Sequence, residues 1–233
     1  MVFSDTTTKQ GIIEDIDFNC DSDTNTYPVA DKTRNVNRAM DKAVSLIFDS
    51  DGIWEWDDSN QTDLPIATTS LVSSQADYSF AVTHLKITRV MVKNSSGKWQ
   101  IVQPFDITED ASLTFLQDNN NVGTPMMYDK RANSIFLSPT PNYASSGGLK
   151  IYFQRPSTYF TVADTTKEPG FAAIFHRYLS LCASYDFCAV KGLPKASQFK
   201  NDIKEMETAI QKFYGKRNRD DRLGLKAKQR DYE

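Results

Sequence analysis

The stretch FAAIFHRYLSLCASYDFCAVKGLPKASQFKNDIKEMETAIQKFYG, from Phe171 to Gly215, decides the fold class. Phe171, Ile174, Phe175, Tyr178, Cys182, Tyr185 and Ala189 recur mostly at steps of three and four, which lines them along one face of a helix. Gly192 and Pro194 end that helix. In the next one Ala196, Phe199, Ile203, Met206, Ile210 and Phe213 alternate steps of three and four, a seam on which each buried side chain contributes roughly 1.5–3 kcal/mol. Gly215 is expected to stop it. The short break between the two helices forces an antiparallel αα-hairpin, and a hairpin with an apolar stripe needs a partner.

That partner lies far upstream. Thr26-Tyr27-Pro28 opens a helix, with proline suited to the first turn, and Val36, Met40, Ala43, Val44, Ile47 and Phe48 share one face of it before Asp49-Ser50-Asp51-Gly52 stops it. Ile12, Ile13 and Ile16 predict a further short helix that depends on tertiary support. Between these helical parts the period is that of strands. His84 opens one that runs to Lys93, and Lys98 to Gln103 forms another across Asn94-Ser95-Ser96-Gly97, a hairpin whose glycine can take positive φ. Leu149, Ile151 and Phe153 alternate with Lys150, Tyr152 and Gln154, and the expected partner of that strand is Ser134 to Ser138. Ile66 to Val72 and Asp77 to Phe80 are shorter candidates. The fold class is therefore α+β: a helical bundle with an inserted small antiparallel β sandwich or barrel and an extended C-terminal arm. The boundaries are 1–64 for the first part of the bundle, 65–160 for the β module, 161–215 for the αα-hairpin and 216–233 for the arm.

With 233 residues and 39% hydrophobic content the chain can bury a core, which excludes wholesale disorder. The net charge of −3 places sequence-specific duplex binding at a disadvantage. No stretch reaches the ~18 apolar residues of a membrane helix, and MVFSDTTTKQ lacks the build of a signal peptide, so a soluble protein made in the cytoplasm is expected. Cys20, Cys182 and Cys188 have no C-x-x-C spacing and read as buried free thiols. Charge is segregated: Met1 to Asp31 carries seven acids against Lys9 alone, whereas Lys216 to Glu233 carries seven bases against four acids.

Catalytic signatures are absent. His84 and His176 are the only histidines and sit in no motif; His176, on a helix, is expected to pack or to reach Asp186 or a carbonyl. No G-x-S-x-G, H-E-x-x-H or Walker sequence occurs. Asp17, Asn19, Asp21 and Asp23 alternate like the start of a calcium loop, but Ser22 and Pro28 stand where an EF-hand requires Gly and Glu. Glu55, Asp57, Asp58 and Asp63 are expected to serve a turn beside Trp54 and Trp56, which read as a corner of the core. No enzyme, metal or cofactor is expected.

Tyr27 to Ala39 (YPVADKTRNVNRA), Gly52 to Asn60 (GIWEWDDSN), Asp63 to Ala67 (DLPIA) and Gln75 to Tyr78 (QADY) resemble, in order and spacing, tailed-bacteriophage structural proteins of the head-to-tail adaptor (connector) class. The resemblance continues through GTPMMYD from Gly123, IFLSPTP from Ile135, LKIYFQR from Leu149 and Glu168-Pro169-Gly170. It implies a dodecameric ring docked under the portal protein that extends the DNA channel and receives a tail or nozzle protein. Genomic DNA would pass the lumen without sequence specificity, no membrane would be involved, and the protein would reside in the virion neck after synthesis in the host bacterial cytoplasm. Similar adaptors grip the portal with a terminal arm. Here the candidate is the basic segment with Arg217, Arg219, Arg222, Leu223, Leu225, Lys226, Lys228 and Arg230, while Phe199, Ile203, Met206, Ile210 and Phe213 form the structural helix seam. The alternatives are a virion-associated cell-wall hydrolase using Asp57 and Asp58, and a free-standing nucleic-acid-binding module.

Overall fold

Ile12, Ile13, Ile16 and Cys20 are all buried, and they make α1 (Ile12–Cys20) a short helix held by its neighbours rather than by its own propensity. A computed structural model describes residues 1–50, 66–105 and 121–217. After α1 the carboxylate of Asp23 accepts from the backbone N–H groups of Asn25 and Thr26, and Pro28 leads into α2 (Val29–Ser50). The α2 stripe of Val36, Met40, Ala43, Val44 and Ile47 is buried as its spacing predicts. Lys32 on the same helix is also fully buried, with Nζ 2.5 Å from Asp17 on α1. That pair satisfies a charge that would otherwise be costly inside the protein.

The strands follow as β1 (Ile66–Leu71), β2 (Asp77–Ser79), β3 (Lys86–Lys93), β4 (Trp99–Pro104), β5 (Val122–Gly123), β6 (Met127–Arg131), β7 (Ser134–Ser138), β8 (Thr140–Pro141) and β9 (Ser145–Gln154). Seven of them form one curled sheet in the order β1-β9-β3-β4-β6-β7-β2, and β5 pairs with β8 apart from it. The hairpin of β3 and β4 is as expected: Gly97 has φ +76°, and Asn94 Oδ1 accepts from the N–H groups of Ser96 and Lys98. Three expectations are corrected. β9 pairs with β1 and β3, not with β7, because the chain first turns aside after β7 to place Thr140–Pro141 beside β5; β7 pairs with β6 and β2 instead. The sheet is also not purely antiparallel, since β4 and β6 run parallel. His84 precedes β3 rather than opening it.

A single turn of 3-10 helix (Ala173–Phe175) leads into α3 (Arg177–Lys191), so Phe171 to Phe175 are not part of that helix and Ile174 is exposed. Gly192, at φ +66°, closes α3: the Leu193 N–H donates to the Cys188 carbonyl at 2.9 Å, a terminal bond that needs a left-handed residue just before it. α4 (Ala196–Arg217) folds back antiparallel and runs through Gly215, which therefore does not stop it. α3 packs against α1, α2 and α4, and these four helices share a core. Val90, Val92, Val102, Leu149, Ile151 and their neighbours form a second, separate core on the sheet. Among the described residues no helix makes an extensive contact with a strand. The chain returns from the sheet at Phe160, whose backbone exchanges two 2.9 Å hydrogen bonds with the Asn37 side chain on α2. The described structure is thus mixed α+β, with its helices and strands in separate cores.

Candidate functional site

The seam residues of α4 lie where burial matters, with one exception. Phe199, Ile203 and Ile210 are buried and Met206 is partly so, but Phe213 is 41% exposed. A straight α-helix advances about 100° per residue, so a seam of strict three-four steps drifts around it. By the last turn Tyr214 has taken the inward place, buried with its hydroxyl accepting the Ala172 N–H at 2.9 Å, while Phe213 touches Phe175 edge-on. The α3 stripe shifts likewise: Leu179, Leu181, Ala183 and Cys188 are buried, Cys182 and Tyr185 are partly covered, and Ala189 is exposed.

Between α2, α3 and α4 lies a recess of about 640 Å³ that contains both signs of charge. Lys42 Nζ is 2.5 Å from Glu207 Oε1, which also accepts from the buried Tyr178 hydroxyl at 3.1 Å. Burial pushes the Cys182 thiol up to about 12, so it stays protonated at neutral pH and is a poor nucleophile. Burial also raises the Asp186 carboxyl, against the pull of Arg38 and Lys42. Neither histidine joins this group. His176 is fully buried against Phe171, whose carbonyl accepts its Nε2–H at 2.9 Å, and His84 lies in the β part with its ring stacked on Phe153. The recess is a polar seam between helices in which Lys42, Glu207 and Tyr178 engage one another.

The sheet offers a different surface. Opposed residues share a face, so Met91 of β3, Ile101 of β4 and Lys150 of β9 point the same way, and the two-residue period adds Arg89, Lys93, Trp99 and Tyr152. Lys93 and Lys150 lie 5.1 and 4.3 Å from the centre of the Trp99 ring, and the Arg89 guanidinium lies 5.4 Å from that of Tyr152. Thr68 and Ile66 of β1 continue this face on one side without a carboxylate; on the other side, beyond β4, the same register brings Asp129 of β6, ion-paired with Arg131, and Asp77 of β2 onto it. Residues 66–105 and 121–154 hold seven bases and two acids, whereas the described helical part, residues 1–50 and 161–217, holds fourteen bases and fifteen acids; residues 106–120 add four acids to the sequence between β4 and β5.

No known family model matches the chain, and no curated protein does.

The remaining sequence candidates divide. Asp17 is engaged by Lys32, Asp23 caps the turn before α2, and Asp21 ends α1 in a left-handed conformation; the alternating acids are thus used locally. Cys20, Cys182 and Cys188 are free thiols, as read from their spacing. Trp54, Glu55, Trp56, Asp57, Asp58 and Asp63 lie outside the described residues, as do Arg219, Arg222, Leu223, Leu225, Lys226, Lys228 and Arg230; Arg217 is the last residue of α4. The sequence reading misses the basic–aromatic face, since residues 66–154 hold seven bases against six acids; the alternation in KITRVMVK, which sets Arg89 and Lys93 on one side of a strand, is the only signal of it in the sequence.

Proposed function

We propose that this chain is a structural head-to-tail adaptor of a tailed bacteriophage, forming a dodecameric ring beneath the portal that extends the DNA channel and provides the platform for a tail or nozzle protein. The observation that carries this reading is the ordered series of motifs from Tyr27 to Gly170, which resembles that class over most of the chain. The arrangement of the elements supports it. The chain returns from the β part onto α2 at Phe160, and helices and strands keep separate cores, so a copy presents two structurally unlike surfaces. Unlike faces meeting head to tail give a ring when the rotation closes.

In this reading the helices form a bundle, the sheet is the insertion, and the basic segment after α4 is the arm that grips the portal. Its bases, with Leu223 and Leu225 as aliphatic anchors, suit an acidic portal surface with small pockets. The chain acts as a virion component and performs no catalysis. A cryo-EM map of the virion neck tests this directly: a closed ring of this chain under the portal is expected, and one or two copies there, or copies spread over the capsid shell, would overturn it.

A further inference from the structure

We infer that the outer face of β3, β4 and β9 is a contact surface for the phosphate backbone of duplex DNA, read without base specificity. This deepens the conduit reading above by naming the surface that meets the DNA.

Three features of the face carry it. First, Arg89, Lys93 and Lys150 stand on adjacent strands of one face with no carboxylate between them, and none of the three forms an ion pair among the described residues. Ion pairs do form elsewhere among the described residues, at Lys32, Arg34, Lys42, Arg131 and Lys167. Second, the rings of Trp99 and Tyr152 hold these cations in place, which lowers the entropy lost when a long side chain is fixed on a partner. Third, two of the cations are lysines, which are point charges without the fork geometry of a bidentate reader, and the remaining side chains are apolar or neutral. Such a surface attracts a continuous line of phosphates and imposes no register on it, so the polymer can slide. An acidic protein would also be attracted, but the bases extend along β3 and onto β9 rather than clustering in one pocket, which suits a continuous line of phosphates.

The test is a fluorescence-anisotropy titration of the full chain with a labelled duplex of arbitrary sequence at several salt concentrations. Three neutralised phosphates predict a contribution of about −3 to the slope of log K against log salt, at roughly −0.9 per contact. The double variant Lys93→Gln with Lys150→Gln is expected to make the slope less steep by about 2 units relative to the unmodified chain, with an unchanged melting temperature. The basic tail contributes equally in both proteins, so the difference isolates the sheet. Lys200→Gln with Lys204→Gln, in the helical recess, should leave the slope as it was. Equal slopes for the sheet variant and the unmodified chain, or no DNA binding at low salt, would overturn the inference. So would a polyglutamate peptide that binds this face as tightly as the duplex, since the occupant would then be an acidic protein. Binding in solution is independent of position in a virion, so failure here leaves the neck map to decide the adaptor reading separately.

Discussion

Leu181 on α3 and Ile101 on β4 are both aliphatic residues inside regular elements, yet Leu181 is buried and Ile101 is 56% exposed. The difference lies in how the two parts cover themselves. α3 is flanked by α1, α2 and α4, so it is apolar around much of its circumference. The sheet packs its inner residues among themselves and has no helix laid across it among the described residues, so its outer side chains meet solvent. One part is therefore covered on several sides, and the other, among the described residues, is covered on one. Mutations that introduce the same charge into each part separate the two.

The largest expected effect is in the helices. Ile203→Asp places a carboxylate in the seam between α4 and its neighbours, where lost burial and desolvation together cost several kcal/mol, comparable to the stability of a domain at roughly 5–15 kcal/mol. Ile101→Asp, by contrast, is expected to change stability by no more than about 0.5 kcal/mol, as at other surface positions. Urea denaturation of both variants measures the contrast. A soluble Ile203→Asp protein with an unchanged midpoint would show that the seam is not core.

A smaller effect distinguishes two adjacent aromatic residues. Tyr214→Ala empties a buried site and strands the Ala172 N–H that its hydroxyl accepts, at a cost of about 3–5 kcal/mol. Phe213→Ala removes a half-exposed ring with edge contacts to Phe175 and Tyr214, and about 1 kcal/mol is expected. Reversal of that order in thermal melts would restore Phe213 to the seam.

This pair also marks where sequence reading stops. The helices are readable because their stripes are long and repeat several times, so the misplaced residues fall at the ends: Phe213 and Ala189 at the far ends and Ile174 at the entry. Strand pairing was not readable. A strand's alternation tells which side chains share a face but says nothing about which strand lies beside it, so β9 was matched to its nearest neighbour in sequence, while β1 and β3 in fact flank it. The basic–aromatic face needed both kinds of information, since Lys150 joins Lys93 and Trp99 only once β9 is placed beside β3. The helical recess was unreadable for the same reason: Lys42 and Glu207 are far apart in sequence and meet only when α4 folds back.

The smallest effect is one of pH, and it again separates the two parts. Burial lowers the affinity of both His176 and His84 for a proton, so each has a native pKa below the ordinary value of about 6.5. Below that value the unfolded chain binds more protons than the native one, and stability therefore falls as pH drops from about 6.5 towards the native pKa. The limit is about 1.4 kcal/mol per pH unit for each histidine. His176 is fully enclosed, and its Nε2–H is committed to the Phe171 carbonyl, so charging it opposes the packing of the helices themselves. His84 is only partly buried, with its ring stacked on Phe153, so charging it costs less desolvation than charging His176. Asp186, whose carboxyl is raised by burial, works in the opposite direction as it takes up its proton, while Asp5, Asp23 and Asp164 are held below the usual carboxylate range and matter only at more acidic pH. Hydrogen exchange between pH 7.5 and 5.5 is thus expected to show loss of protection in α3 before any loss in β3 and β9. His176→Gln keeps a donor for the Phe171 carbonyl without the titration, and should flatten the profile of the helices while leaving that of the strands unchanged. An imidazole signal for His176 that titrates at or above 6.5 in the folded protein would place that ring in solvent and remove the distinction.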